Sequence, residues 1–135
     1  ENEIANLKRF RANQREGADR VVSDSLKAFR DKGVTILSGT DSPNGGTTVG
    51  ASMHLELELL VEAGLTPVEA MTAATSAPAA MFGLNDRGRI AEGMLADLVL
   101  VEGSPDQVIT DTRNIVTIWK AGKAHAGVVS IESKN

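Results

Sequence analysis

The chain has 135 residues, a net charge of −4 and no cysteine. That length suits one modest core, and mixed charge of slightly acidic balance argues against a nucleic-acid footprint. Without cysteine there is neither a disulfide framework nor a thiolate metal site, and no apolar run approaches the ~20 residues a membrane span needs. The lack of cysteine is compatible with a cytoplasmic protein, which is the expectation; the charged start shows no signal peptide, and Glu1 in place of an initiating Met fits a fragment or a processed chain. The only aromatics are Phe10, Phe29, Phe82 and Trp119, so the core must rest on aliphatic and Ala packing.

Residues 1–31 read as helix, with Ile4, Leu7 and Phe10 on one stripe and Ala18, Val22, Ser25 and Phe29 continuing the period beyond a weak point at Gly17. Gly33 suits the position just past a helix end. Val34, Thr35, Ile36 and Leu37 then form an unbroken β-branched and apolar run, as a strand covered on both faces needs. Helix, Gly and buried strand in that order make the αβ half of a βαβ repeat. Gly39 lets the backbone turn and Pro43 prevents the strand from continuing. Asp41 therefore sits where a parallel strand meets its loop, the edge at which α/β folds collect ligands and catalytic groups. The plainer reading is a turn residue, because an Asp side chain can bond nearby backbone amides.

Gly45 and Gly50 nearly spell a phosphate-binding loop, but the Lys that would meet terminal phosphates is absent. A flexible loop facing a substrate is expected instead. Residues 52–63 follow as a helix with Met53, Leu57, Leu60 and Val61 on its apolar face, widened by Leu55 and Leu59, and so packed on more than one side. Glu56, Glu58 and Glu62 are expected to face water. The first two lie ~200° apart around a helix and cannot act as an acid/base pair. His54 stands near the helix start, where it could bind substrate or steady Asp41, and where the helix N-terminus favours a neutral ring. The alternative is a His satisfied within the fold.

Gly64 closes that helix. Thr66, Pro67 and Glu69 open the next with a cap, a first-turn Pro and a capping box. Val68, Met71, Thr72 and Thr75 are expected on its buried side. Pro78 starts a shorter helix that Gly83 ends. Asn85, Asp86 and Arg87, with Gly88 and Gly93, mark a change of character at Leu84. Residues 96–101 and 115–120 read as strands, 102–114 as a polar connection, and Ala121-Gly122-Lys123 as a turn into a final strand. Asp97 reads as a turn or hydrogen-bonding residue, and His125 as a surface or structural one.

Several segments, taken in order, resemble one family: Gly39-Thr40-Asp41; Ser52 through Leu60; Glu62-Ala63-Gly64-Leu65-Thr66-Pro67-Val68-Glu69-Ala70; Ala73-Ala74-Thr75; Gly93 through Val101; and Ile115-Val116 through Lys123. This set is similar to the C-terminal part of a metal-dependent amidohydrolase, nearest the imidazolonepropionase and Xaa-Pro dipeptidase (prolidase-like) branch. The resemblance implies an α/β fold: the last βα units of a TIM-like (β/α)8 barrel over residues 1–86, and C-terminal strands of a small composite β-sandwich over residues 87–135. It implies a divalent metal, Zn²⁺ foremost, with Asp41 as both ligand and proton shuttle; the substrate contact expected of His54 rests instead on its place near the helix start. The family's remaining ligands, a His-x-His pair, a carboxylated Lys or Glu, and two further His, have no counterpart here, since His54 and His125 are the only histidines and both follow Asp41. The implied activity is hydrolysis of amide, cyclic amide or dipeptide C–N bonds by a longer protein, with this segment inactive alone. A small-molecule substrate and no nucleic-acid or membrane partner are expected, and unpaired strand edges would favour a homo-oligomer. The rival readings are a non-catalytic structural or interaction module and a small α/β ligand-binding domain using the Gly loop.

Overall fold

Helix α1 (Ala18–Asp31) opens the part of the chain that the computed structural model describes, residues 18–125. The expected stripe through Ile4, Leu7 and Phe10, the bend at Gly17 and the end of the last strand lie outside those residues. Helices α2 (Ala51–Glu62), α3 (Pro67–Ala74) and α4 (Ser76–Met81) follow. Strands β1 (Leu98–Val101), β2 (Ile115–Lys120) and β3 (Lys123–Ala124) form an antiparallel sheet in that order, with a 3₁₀ helix at Ile109–Arg113 between β1 and β2.

Three helices end the same way, for one reason. Gly33, Gly64 and Gly83 have φ of 72°, 114° and 68°, the left-handed region that glycine reaches without a Cβ clash. Each donates to the carbonyl three residues back, and the following residue donates to the one five back: Val34 to Phe29 (3.0 Å), Leu65 to Leu60 (3.1 Å) and Leu84 to Ala79 (2.8 Å). This pairing satisfies carbonyls that the helix leaves free. The start of α3 is as expected: the Thr66 hydroxyl accepts from the Glu69 amide at 3.2 Å while the Glu69 carboxylate accepts from the Thr66 amide at 2.7 Å. The Thr66 amide, and with it the Thr66 hydroxyl that donates to the same carboxylate at 2.9 Å, pull the Glu69 carboxyl below its usual range.

Two expectations fail here. The run 34–37 is extended but is no strand: among the described residues no other segment pairs with it, and only its ends are held, by the Val34 and Ser38 amides bonding Phe29 and Ala73 carbonyls. Nor is it buried, for Val34 is 51 % exposed. A β-branched apolar run becomes a covered strand only where neighbouring strands receive its amides and carbonyls. The buried side of α3 is also not Val68, Thr72 and Thr75, which are exposed, but Ala70 and Ala73. Helix α3 packs through its small residues, which let backbones approach closely, and its larger face borders an open groove with Val34, Thr35 and Ile36.

The core gathers on α2, where Leu57, Ala70 of α3 and Ile109 of the 3₁₀ helix are buried together, flanked by Leu60, Val61, Met71 and Ala74. As expected, α2 is packed on more than one side. In the sheet, Leu98 faces Trp119 and Val99 faces Ile118, with a bulge between Leu100 and Val101. Ala121 and Gly122, both at positive φ, make the two-residue turn from β2 to β3. Asp97 fixes that turn: its carboxylate accepts from the Ala121 amide at 2.8 Å and from the Lys120 ammonium, which together hold its carboxyl below the usual range. No helix among the described residues is long and apolar enough to cross a membrane.

Candidate active site

Asp41 lies four residues beyond the end of the run 34–37 and has φ 50°, a conformation uncommon for any residue but glycine and relatively open to Asp and Asn. Its carboxylate accepts a hydrogen bond from the Asn44 side-chain amide, and the Asn44 backbone amide donates to the Asp41 carbonyl at 3.1 Å. Among the described residues the carboxylate has no other partner. By its local contacts, then, Asp41 is an exposed turn residue whose carboxylate is held by Asn44 alone among the described residues. The loop continues through further turns, with Thr47 donating from both its amide (2.9 Å) and its hydroxyl (2.8 Å) to the Asn44 carbonyl. Asn44 was the one neighbour a reader of the sequence could have found, three residues on in an Asp-Ser-Pro-Asn-Gly turn.

Helix α2 holds this loop along one side. The Ser38 hydroxyl donates to the Met53 sulfur at 3.6 Å, the Gly39 amide to a Glu56 carboxylate oxygen at 3.3 Å, and the Thr48 amide to the buried Ser52 hydroxyl at 2.7 Å. Glu56 thus does not simply face water: it is half-buried and ties the approach to Asp41. Glu58 likewise departs from expectation. Its side chain is 15 % exposed and pairs with Arg113 of the 3₁₀ helix. A carboxylate at that depth needs such a partner.

His54 stands on α2, with Nδ1 3.1 Å from the Thr112 hydroxyl oxygen. It is not bonded to Asp41, so the structure does not bring the two expected site residues into direct contact. Burial, and then the nearby Arg113 guanidinium, push the imidazole below its ordinary pKa, while Glu58 acts in the opposite sense. Thr112 and Arg113 lie more than fifty residues along the chain and carry no motif, so nothing in the sequence pointed to them. His125 is exposed, and its backbone amide bonds the Ile118 carbonyl at 2.8 Å. No three His, Asp or Glu side chains come together to hold a metal among the described residues.

Residues 6–130 match the model of the amidohydrolase family. The adenine deaminase of Ligilactobacillus salivarius is 32 % identical over 95 residues, covering 70 % of this chain and 16 % of that enzyme. The imidazolonepropionase of Deinococcus deserti is 36 % identical over 96 residues, covering 68 % of this chain and 24 % of that enzyme. Among solved structures, a Xaa-Pro dipeptidase with methionine bound in its active site superposes with a TM-score of 0.68 at 32 % identity, over 78 % of this chain and 25 % of that one. The chain spans at most about a quarter of the length of each of these proteins. By this match, over nearly its whole length, the chain belongs to the amidohydrolase family.

Proposed function

We propose that this chain is the C-terminal segment of a metal-dependent hydrolase acting on amide or cyclic amide C–N bonds, with Asp41 as its acid/base carboxylate. The observation that carries the reading is a family match that includes Asp41, where that residue leaves an extended segment in a left-handed backbone with its carboxylate largely open. In this reading residues 1–86 complete a (β/α)8 barrel and residues 87–135 a composite sandwich, both with strands from the rest of the polypeptide. The uncovered run 34–37 and the three-stranded sheet are what such a segment leaves for its remainder to cover.

The residues of this chain do not by themselves fit a divalent ion, since no three His, Asp or Glu side chains gather around Asp41 or elsewhere among the described residues. The reading therefore gives Asp41 one place in a ligand set otherwise supplied by the remainder of the protein, with Zn²⁺ the ion proposed. Chemically, a carboxylate in that place takes the proton of an attacking water and returns it to the leaving nitrogen. His54 is assigned to the substrate through its second ring nitrogen. Relatives named adenine deaminase and imidazolonepropionase, and a structural neighbour named Xaa-Pro dipeptidase, set the range of substrates to try.

The isolated bond from Asp41 to its own turn favours a second reading, in which the 135-residue chain alone is a non-catalytic module. One comparison separates the readings. The complete polypeptide is assayed on cyclic amide, dipeptide and aminopurine substrates before and after chelation, beside the 135-residue chain. The proposal expects turnover that a chelator removes and Zn²⁺ restores, and no turnover from the short chain. Turnover indifferent to chelation would remove the metal-dependent assignment. Absence of turnover from the complete polypeptide on every substrate would favour the module.

A further inference from the structure

The Thr112 hydroxyl oxygen lies 2.8 Å from the Ile109 carbonyl oxygen and 3.1 Å from His54 Nδ1. A hydroxyl has one hydrogen, and a carbonyl can only accept. The hydrogen of Thr112 is therefore given to Ile109, and the contact with the ring requires Nδ1 to be the donor. We infer that Thr112 is a positioning residue that fixes His54 as the Nδ1–H tautomer, so that the ring presents an unprotonated Nε2 as acceptor for an N–H or O–H of a ligand. Free imidazole side chains in water favour the opposite tautomer, so the contact reverses the ordinary preference.

Nε2 is open to such a ligand. It has no partner among the described residues, and no buried side-chain nitrogen or oxygen there lacks one, so the atom reaches solvent. The charged groups facing the ring are Arg113 from the 3₁₀ helix and Glu58 from its own helix, paired with each other. Burial and the guanidinium disfavour a second proton on the ring, and so keep Nε2 an acceptor rather than a donor. That the ligand is an amide-type substrate rests on the function proposed above; the tautomer does not.

The test uses the full 135-residue chain without metal or substrate, so its outcome is independent of turnover. The sequence has two histidines, so long-range ¹H–¹⁵N correlation near pH 8 gives two imidazole patterns, with His54→Gln assigning them. The expected result is a pyridine-type Nε2 for His54 and the ordinary pyrrole-type Nε2 for the exposed His125. Thr112→Val should move the His54 Nε2 shift towards the pyrrole type, and Thr112→Ser should restore the wild-type pattern. Acylation by diethylpyrocarbonate, followed by peptide mapping, should mark His54 as well as His125. A pyrrole-type Nε2 in the wild type, or a Thr112→Val spectrum identical to it, would overturn the tautomer assignment. Resistance of His54 to acylation would overturn its availability to a ligand.

Discussion

Asp41 and Asn44 share a turn that tests chemistry separately from structure. Asn tolerates left-handed backbone nearly as well as Asp, and its side-chain oxygen can still accept from Asn44. Asp41→Asn should therefore leave thermal unfolding almost unchanged. His54 carries the pH dependence at this scale. Its folded pKa is depressed below 6.5 by burial and Arg113, so the unfolded chain binds the proton more readily. The stability this group supports is complete above its unfolded pKa and is lost as pH falls through the folded one. Urea unfolding followed from neutral pH downward should show that decline, and His54→Gln should flatten it below pH 6.5. An unchanged slope in the variant would assign the decline to the carboxylates. Gly39 and Pro43 made the turn at Asp41 legible, but the strand expected before it does not form. The partner of His54 was not legible, because a hydroxyl fifty-eight residues away enters only through packing.

Helix ends were the best-read elements, since their signals are local. Gly33, Gly64 and Gly83 end helices where expected, and the Thr66–Glu69 box forms in full. Thr66→Ala should cost ~1 kcal/mol in denaturant unfolding with an unchanged slope; no loss would mean the box adds nothing to a helix already started by Pro67. A larger loss is expected at Gly88. A Cβ there would sit 2.5 Å from that of Ala79 and 2.9 Å from the Thr75 carbonyl, at φ +88°. Gly88→Ala should therefore destabilise more than Thr66→Ala does, since clash and left-handed strain add. Where the sequence misled, the missing information was tertiary. The run 34–37 has the composition of a covered strand but no strand beside it, and α3 buries Ala70 and Ala73 because closeness of approach outweighed side-chain size. The 3₁₀ helix at 109–113 was hidden in a polar connection, where its role is set by the ion pair and hydroxyl it brings to α2.

At the scale of the molecule the core is thin. Its buried apolar residues among those described are Leu57, Leu65, Ile109 and four alanines, while Val34, Val99, Leu100 and Val116 are exposed. Leu57→Ala should then cost about 2–5 kcal/mol, a large fraction of what a chain of this size has available. The exposed apolar groups and the unpaired edge of 34–37 favour association of the isolated chain. Sedimentation should show mass rising with concentration, reduced by Val34→Lys; a monomer at all concentrations would show that these faces do not pair with a second copy. The family was legible because the ordered motifs lie within the chain, whereas no metal-holding set of His, Asp or Glu side chains assembles among the described residues. The role proposed for this segment is to bring the acid/base carboxylate to a hydrolase. Its most direct test is the turnover of Asp41→Asn in the complete polypeptide, with folding checked by thermal unfolding. A fall of at least ~10²-fold in kcat with the fold intact is expected; near-normal turnover in the folded variant would contradict that role.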